Sequence, residues 1–319
     1  MKLPCTIVWR LVQKENIRAH TSKISSSTLN ANLVFEAMFD VVHIDEKWFY
    51  MTRLTQKYYL LPNEKRSHKT CQSKRFITKI MFMVAVARPR FDKDGNCLFD
   101  GKVGIFPFPV TAPARRASKN RVRGTLEVKS IESITKIVVK KCLLEKVILA
   151  IKAKWLQGAN KRIFIQQDNT KPHIIGSDED FVHAAKSDGF DMELIQQPPN
   201  SPDMNILDLG FFRSIQTLQH KKSSRSICQL LDSVVNAFDT ISYDKLKHVW
   251  VSLQAYMNEV MRLKGSNSYP LPHLGKNRMV RLGNWENQLK VNVDNIAIAL
   301  NAITKEVQEI SQQQATISE

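Results

Sequence analysis

Carboxylates that follow apolar runs are the residues of this chain best suited to carry chemistry. In VVHIDEKWFY an apolar run delivers Asp45 and Glu46 at its end, and IFIQQDNTKPH delivers Asp168 in the same way. A third cluster, PPNSPDMNILDLGFF, sets Asp203 in a Pro-rich turn and Asp208 at the start of an apolar helix. Two strand ends and one helix start can aim three acids into a single cleft. Hard divalent cations such as Mg²⁺ or Mn²⁺ take carboxylate oxygens. Two of them roughly 3.5 to 4 Å apart activate the attacking oxygen and stabilise the leaving one in phosphodiester hydrolysis and transfer. Each acid alone has an ordinary reading, since carboxylates cap helices and end strands, and Asp208 also suits a helix N-cap. The combination favours the metal reading. Asn169 and His173 flank the second acid, and His173 suits phosphate, metal or a locally satisfied structural role equally.

The elements that would position these acids follow from periodicity. Apolar runs predict strands at 39–44, 58–61, 80–87, 163–166 and 192–195. Helical spacing predicts helices over 131–155, 180–187, 209–219, 226–240 and 243–263. Strands come early and helices alternate with them later, so the class is mixed α/β. Clustered Pro, Gly and Asn in GSNSYPLPHLGKN mark a linker ahead of a last helix over 291–310. No internal repeat is present.

With 319 residues and 43% hydrophobic content, the chain can bury one substantial core. Its net charge of +17 and pI near 9.7 exceed what solubility requires and point to a polyanionic partner. Between 57 and 123 there are 16 Lys and Arg against 4 Asp and Glu, so most of the excess lies there. Within that stretch, 106–123 carries Arg115, Arg116, Lys119, Arg121 and Arg123 with three Pro and no acid. It reads as an extended arm for phosphates, the alternative being a solvated loop. No apolar run approaches the roughly 20 residues of a spanning helix, so a membrane is not an expected partner. The first residues lack a secretory cleavage site. Five cysteines without a CxxC pair argue against a disulfide framework or a structural zinc site and are expected to be buried thiols.

The blocks HIDEKWFYM, KIMFMVAVARPRFD, QQDN..PH and PPNSPD.N.LDLGFF resemble the mariner-like transposases of plants, in the Tc1/mariner superfamily, from about residue 41 to 269. The resemblance implies a ribonuclease H-like mixed sheet flanked by helices, with further helices at the C-terminus. It also implies a catalytic and metal-holding triad of Asp45, Asp168 and Asp208, using Mg²⁺ or Mn²⁺ for cut-and-paste transposition. The 39 residues between Asp168 and Asp208 match the plant pattern of three aspartates. Asp203, after 34 residues, has the animal mariner spacing and is read as a turn residue beside the site. Expected partners are double-stranded DNA, namely transposon terminal inverted repeats and TA target sites, and a second copy in a homodimer. Expected residence is the nucleus.

By the same resemblance, 41–264 is the catalytic domain with its arm at 106–123, and 265–319 is a C-terminal linker and helix. The first 40 residues read as the remnant of a helix-turn-helix region and linker. A lone recognition helix lacks the supporting helices that dock it in a groove, so end recognition is expected to be impaired. Two rival classes stay open beside the active transposase: a catalytically silent DNA-binding protein, and a ribonuclease H-like nuclease acting on RNA–DNA hybrids.

Overall fold

The computed structural model describes residues 2–3, 34–35, 37–52, 61–65, 76–119, 121–131, 133–197, 201–266, 269, 272, 274–282 and 288–317. Two short strands, Lys2–Leu3 (β1) and Val34–Phe35 (β2), pair in parallel. Val41–Tyr50 (β3) and Lys79–Ala87 (β4) follow, then a small hairpin of Arg90–Phe91 (β5) and Cys97–Phe99 (β6), and Lys102–Pro107 (β7). Pro109–Pro113 (β8) and Leu126–Ser130 (β9) make a second hairpin. Lys136–Cys142 (α1) continues through a π-helical turn, Leu143–Val147, into Ile148–Lys154 (α2). Arg162–Gln167 (β10), Glu179–Ala185 (α3) and Asp191–Gln196 (β11) form a strand–helix–strand unit. A 3₁₀ turn, Pro202–Met204, and a π turn, Leu207–Phe211, lead into Phe212–Gln219 (α4). Ile227–Thr240 (α5), Tyr243–Arg262 (α6), Lys276–Arg281 (α7) and Val293–Ile317 (α8) complete the chain.

The central sheet has the order β11-β10-β3-β4-β7. The first three strands run parallel and the last two join antiparallel. Side chains alternate across a pleated strand, so β3 and β4 feed two separate cores. Phe49, Phe82, Val84 and Val86 pack with Phe211, Phe212, Ile215, Leu230, Trp250 and Leu253 on one face. Val42, Ile44, Met83, Ala85, Ile163 and Ile165 pack with Val139, Leu143, Val147, Ile151 and Phe181 on the other. The result is a mixed α/β sheet with helices on both faces, in agreement with the mixed α/β class read from periodicity and the flanked sheet the resemblance implied. Edge-to-face rings of Phe49 against Phe82 and Phe212 fill the first core, and burying each such side chain contributes about 1.5–3 kcal/mol. Gly101, at φ +81°, makes the turn into β7, where a Cβ would stand 2.4 Å from the Ala87 carbonyl oxygen.

Several expectations need correction. The strand expected at 39–44 runs on to Tyr50, because β4 pairs with it as far as Tyr50↔Lys79. The stretch 106–123 is not one irregular arm. Phe106 and Pro107 end the edge strand β7, and β8 pairs with β9, leaving 114–125 as the tip of a hairpin. Prolines at 107, 109 and 113 hide this pattern, yet a missing N–H is tolerated at a sheet edge and at strand ends. The helix expected over 131–155 starts at Lys136, and the last helix runs over Val293–Ile317. Cys142 is buried as expected, whereas Cys97 and Cys228 are exposed; Cys5 and Cys71 lie outside the described residues. So do most of 1–40, the strand expected at 58–61 apart from Leu61, and much of the linker after Gly265. Among the described residues, no helix is long and apolar enough to cross a membrane.

Candidate metal and nucleic-acid site

The acids are positioned by the place where one parallel ladder stops. β10 pairs with β3 only through Phe164↔Val41, Ile165↔Val42 and Gln166↔His43. Asp45 and Asp168 each lie two residues beyond the last of these pairs, so they stand abreast just past its end. Asp45 is not at a strand end, as the apolar run suggested; its other flank stays paired with Val84 of β4. The first acid is thus held on a rigid strand beside an open edge. Alternation sends His43, Asp45, Lys47 and Phe49 toward the layer of α4 and α6, and Glu46 toward the opposite layer.

The third acid arrives on the turn after β11. Gln166 donates from Nε2 to the Met204 carbonyl oxygen at 2.9 Å, fixing that turn to β10. Asn205 donates from Nδ2 to Asp45 Oδ2 at 2.9 Å, and its Oδ1 accepts from the Leu207 backbone N–H at 3.0 Å. Asp208 follows in the π turn, where it caps nothing, and its Oδ1 takes Lys47 Nζ at 2.9 Å. Lys47 also lies 5.1 Å from the Phe212 ring centroid. Asp203 sits in the preceding 3₁₀ turn. Burial raises its carboxyl, and its charge is felt by Tyr256 instead of the other acids. Asn169 donates to the Gln197 carbonyl oxygen and so ties the ends of β10 and β11 together.

Electrostatics separate the three acids. Burial, followed by the charges of Asp208, Glu46 and Asp168, lifts the Asp45 carboxyl well above the usual range. Burial alone would also raise Asp168, but donors from His173 and Thr170 outweigh it and hold that carboxyl below its ordinary value. His173 presents Nδ1 to Asp168 Oδ1 at 2.8 Å and Nε2 to Glu46 Oε2 at 3.0 Å. Burial would lower this imidazole, yet the two carboxylates raise it to about 10. Behind the site, burial holds His43 down at about 3, and its ring meets Trp250 edge-on at 5.1 Å.

The donor set fits a hard divalent cation. Asp45, Asp168 and Asp208 offer the carboxylate oxygens that such a cation takes, and the charges of Asp208, Glu46 and Asp168 that help lift the Asp45 carboxyl are ones a cation would offset. Among the described residues, no three His, Cys, Asp or Glu side chains are gathered into a ready cage. The acids sense one another's charge while Lys47 and His173 serve as their counter-ions. At the hairpin tip, Arg115, Arg116, Lys119 and Arg123 are exposed. Arg121 is turned inward, ion-paired with Glu127 and donating to the Arg116 carbonyl oxygen at 3.1 Å. Reading the sequence missed Lys47, Gln166, Thr170 and Asn205. The two-residue step from Asp45 to Lys47 and the place of Asn205 in SPD.N.LD were the available signals.

No family model matches the chain, and no curated protein is similar to it. Solved structures are. The Mos1 strand transfer complex is 15% identical, with a TM-score of 0.51 over 73% of this chain and 56% of that one. The Mos1 mariner paired end complex with Mn is 12% identical, with a TM-score of 0.50 over 83% of this chain and 72% of that one. A pre-cleavage Mos1 transpososome is 14% identical, with a TM-score of 0.50 over 81% and 70%. These likenesses are of fold. The mixed five-stranded sheet flanked by helices is ribonuclease H-like, in the form found in mariner transposases.

Proposed function

We propose that this chain is a plant-type mariner-like transposase in which Asp45, Asp168 and Asp208 form a triad of three aspartates for DNA strand cleavage and transfer with Mg²⁺ or Mn²⁺. The observation that carries the reading is the ladder end. Two acids lie in step beyond it, and a turn hydrogen-bonded to the first supplies the third. The fold likeness to a mariner paired end complex with Mn and to a strand transfer complex supports both the metal and DNA as the substrate. A bound divalent cation would supply the Lewis acidity that activates water or a 3′ hydroxyl and stabilises the leaving oxygen.

The chain's own residues do the rest. Asp45, Asp168 and Asp208 would hold the cation, with Lys47 leaving Asp208 for a phosphate oxygen. His173 keeps Asp168 and Glu46 oriented, so Glu46 acts as a support for the second acid. The exposed Arg115, Arg116, Lys119 and Arg123 grip the DNA backbone or reach a partner subunit. In this reading 41–264 is the catalytic domain and 265–319 a C-terminal linker and helix. Terminal inverted repeats, TA target sites, a homodimer and nuclear residence belong to the same proposal. A second reading, a catalytically silent DNA-binding protein, is favoured by one observation: Lys47 already neutralises Asp208.

Nicking of supercoiled plasmid by the purified chain in Mn²⁺ or Mg²⁺ separates the two, run beside Asp168→Ala and an EDTA control. The triad reading expects metal-dependent nicking that disappears in the variant. DNA binding with no nicking above that of Asp168→Ala would leave the silent reading standing.

A further inference from the structure

We infer that Asn205 is a positioning residue that sets the separation of the first and third acids, holding Asp45 with its amide nitrogen and the start of the Asp208 turn with its amide oxygen. The inference rests on the reading of these acids as metal-holding groups. Asn205 is 2% exposed, and its side chain spans residues 160 positions apart in sequence. Nδ2 meets Asp45 Oδ2 at 2.9 Å, while Oδ1 accepts from Leu207 N, the residue immediately before Asp208. Only an amide offers a donor for a carboxylate and an acceptor for a backbone N–H from one short side chain.

Its backbone is fixed on both sides. Asn205 N–H donates to the Pro202 carbonyl oxygen at 3.2 Å, and its own carbonyl oxygen accepts from Leu209 N at 3.0 Å. The neighbouring Met204 carbonyl oxygen is held by Gln166. The side chain therefore cannot follow a displaced Asp45 without breaking the turn that carries Asp208. Asp45 is constrained in return, since Oδ1 accepts from the Glu46 N–H at 2.7 Å and Oδ2 from Asn205. With one hydrogen bond on each oxygen, the carboxylate plane is set, and the remaining lone pairs are those left for a cation. Partners of this kind orient ligating carboxylates, and removing one typically weakens metal binding by about 10- to 100-fold.

Calorimetric titration of the full chain with Mn²⁺ tests this, comparing wild type, Asp168→Ala, Asn205→Ala and Asn205→Ser, with thermal unfolding of each. Serine keeps an acceptor for the Leu207 N–H, as in the turns that serine and asparagine share, but does not reach Asp45. The expected result is no Mn²⁺ binding by Asp168→Ala and a roughly 10- to 100-fold loss of affinity in both Asn205 variants, with Asn205→Ser unfolding as cooperatively as wild type. Asn205→Ser decides the matter even where Asn205→Ala fails to fold. Wild-type affinity in Asn205→Ser, with Asp168→Ala unable to bind, would overturn the positioning role and leave the metal site intact. Equal binding by wild type and Asp168→Ala would instead sink the metal reading, and the inference with it.

Discussion

His173 shows how a single residue can hold a cluster of carboxylates together. Both ring nitrogens face carboxylates, and only an imidazolium can donate to both at once. Its pKa, about 10 in the folded chain, exceeds the 6.5 of an unfolded histidine. The stabilisation it provides is therefore complete below pH 6.5 and is lost as pH rises through about 10. Asp45, also raised, acts in the same sense, because the folded state keeps a proton that the unfolded state releases. In EDTA, wild-type stability should fall across this alkaline window, by up to about 1.4 kcal/mol per pH unit for one proton. His173→Gln should be less stable than wild type at pH 6.5 and show a shallower decline above it. Urea unfolding across the window checks this, and parallel slopes for the two proteins would mean that His173 is not the proton carrier. The three aspartates stood out as candidates because each follows an apolar run or a Pro-rich turn. Lys47 and Asn205 were not, because each acts through a partner about 160 positions away that only the folded chain brings near.

At the scale of elements, legibility followed how closely a segment keeps one period. β4, β10 and β11 were legible as apolar runs, and α5 and α6 as amphipathic helices with serine caps at Ser226 and Ser242. β7 and the β8–β9 hairpin escaped, since prolines and basic residues interrupt the alternation that reveals a strand. A two-stranded hairpin is marginal by itself, so its tip needs a side-chain fastening. Arg121 supplies one, joining Glu127 on β9 to the Arg116 carbonyl oxygen across the tip. Arg121→Ala should leave global stability within about 0.5 kcal/mol, as surface changes usually do, yet open the tip. Limited trypsin digestion should then cut after Arg115, Arg116, Lys119 or Arg123 faster than in wild type. An unchanged cutting rate would show that the hairpin is held by its ladder alone and would return Arg121 to the set of candidate DNA-holding residues.

For the whole molecule, the proposed function places binding and chemistry on different residues. The chain carries 47 basic against 30 acidic side chains, while the proposed chemistry lies in an acidic pocket that would repel phosphate without a cation. Under the proposed function, DNA would then be held chiefly by the basic surface, and holding it should not need a metal. Duplex binding should persist in EDTA and in Asp168→Ala, with affinity falling steeply as salt rises. Reversing Arg115, Arg116, Lys119 and Arg123 to glutamate should lower the slope of log affinity against log salt by about 0.9 for each phosphate that is no longer neutralised, so by about 3 to 4 in total. The slope is a better measure than affinity. A variant that merely unfolds in part lowers the amount of competent protein but leaves the slope of the remainder unchanged. Taking cations away from the phosphates changes the number of counter-ions released and so must change the slope. An unaltered slope in the quadruple variant would move the DNA-holding surface away from the hairpin tip.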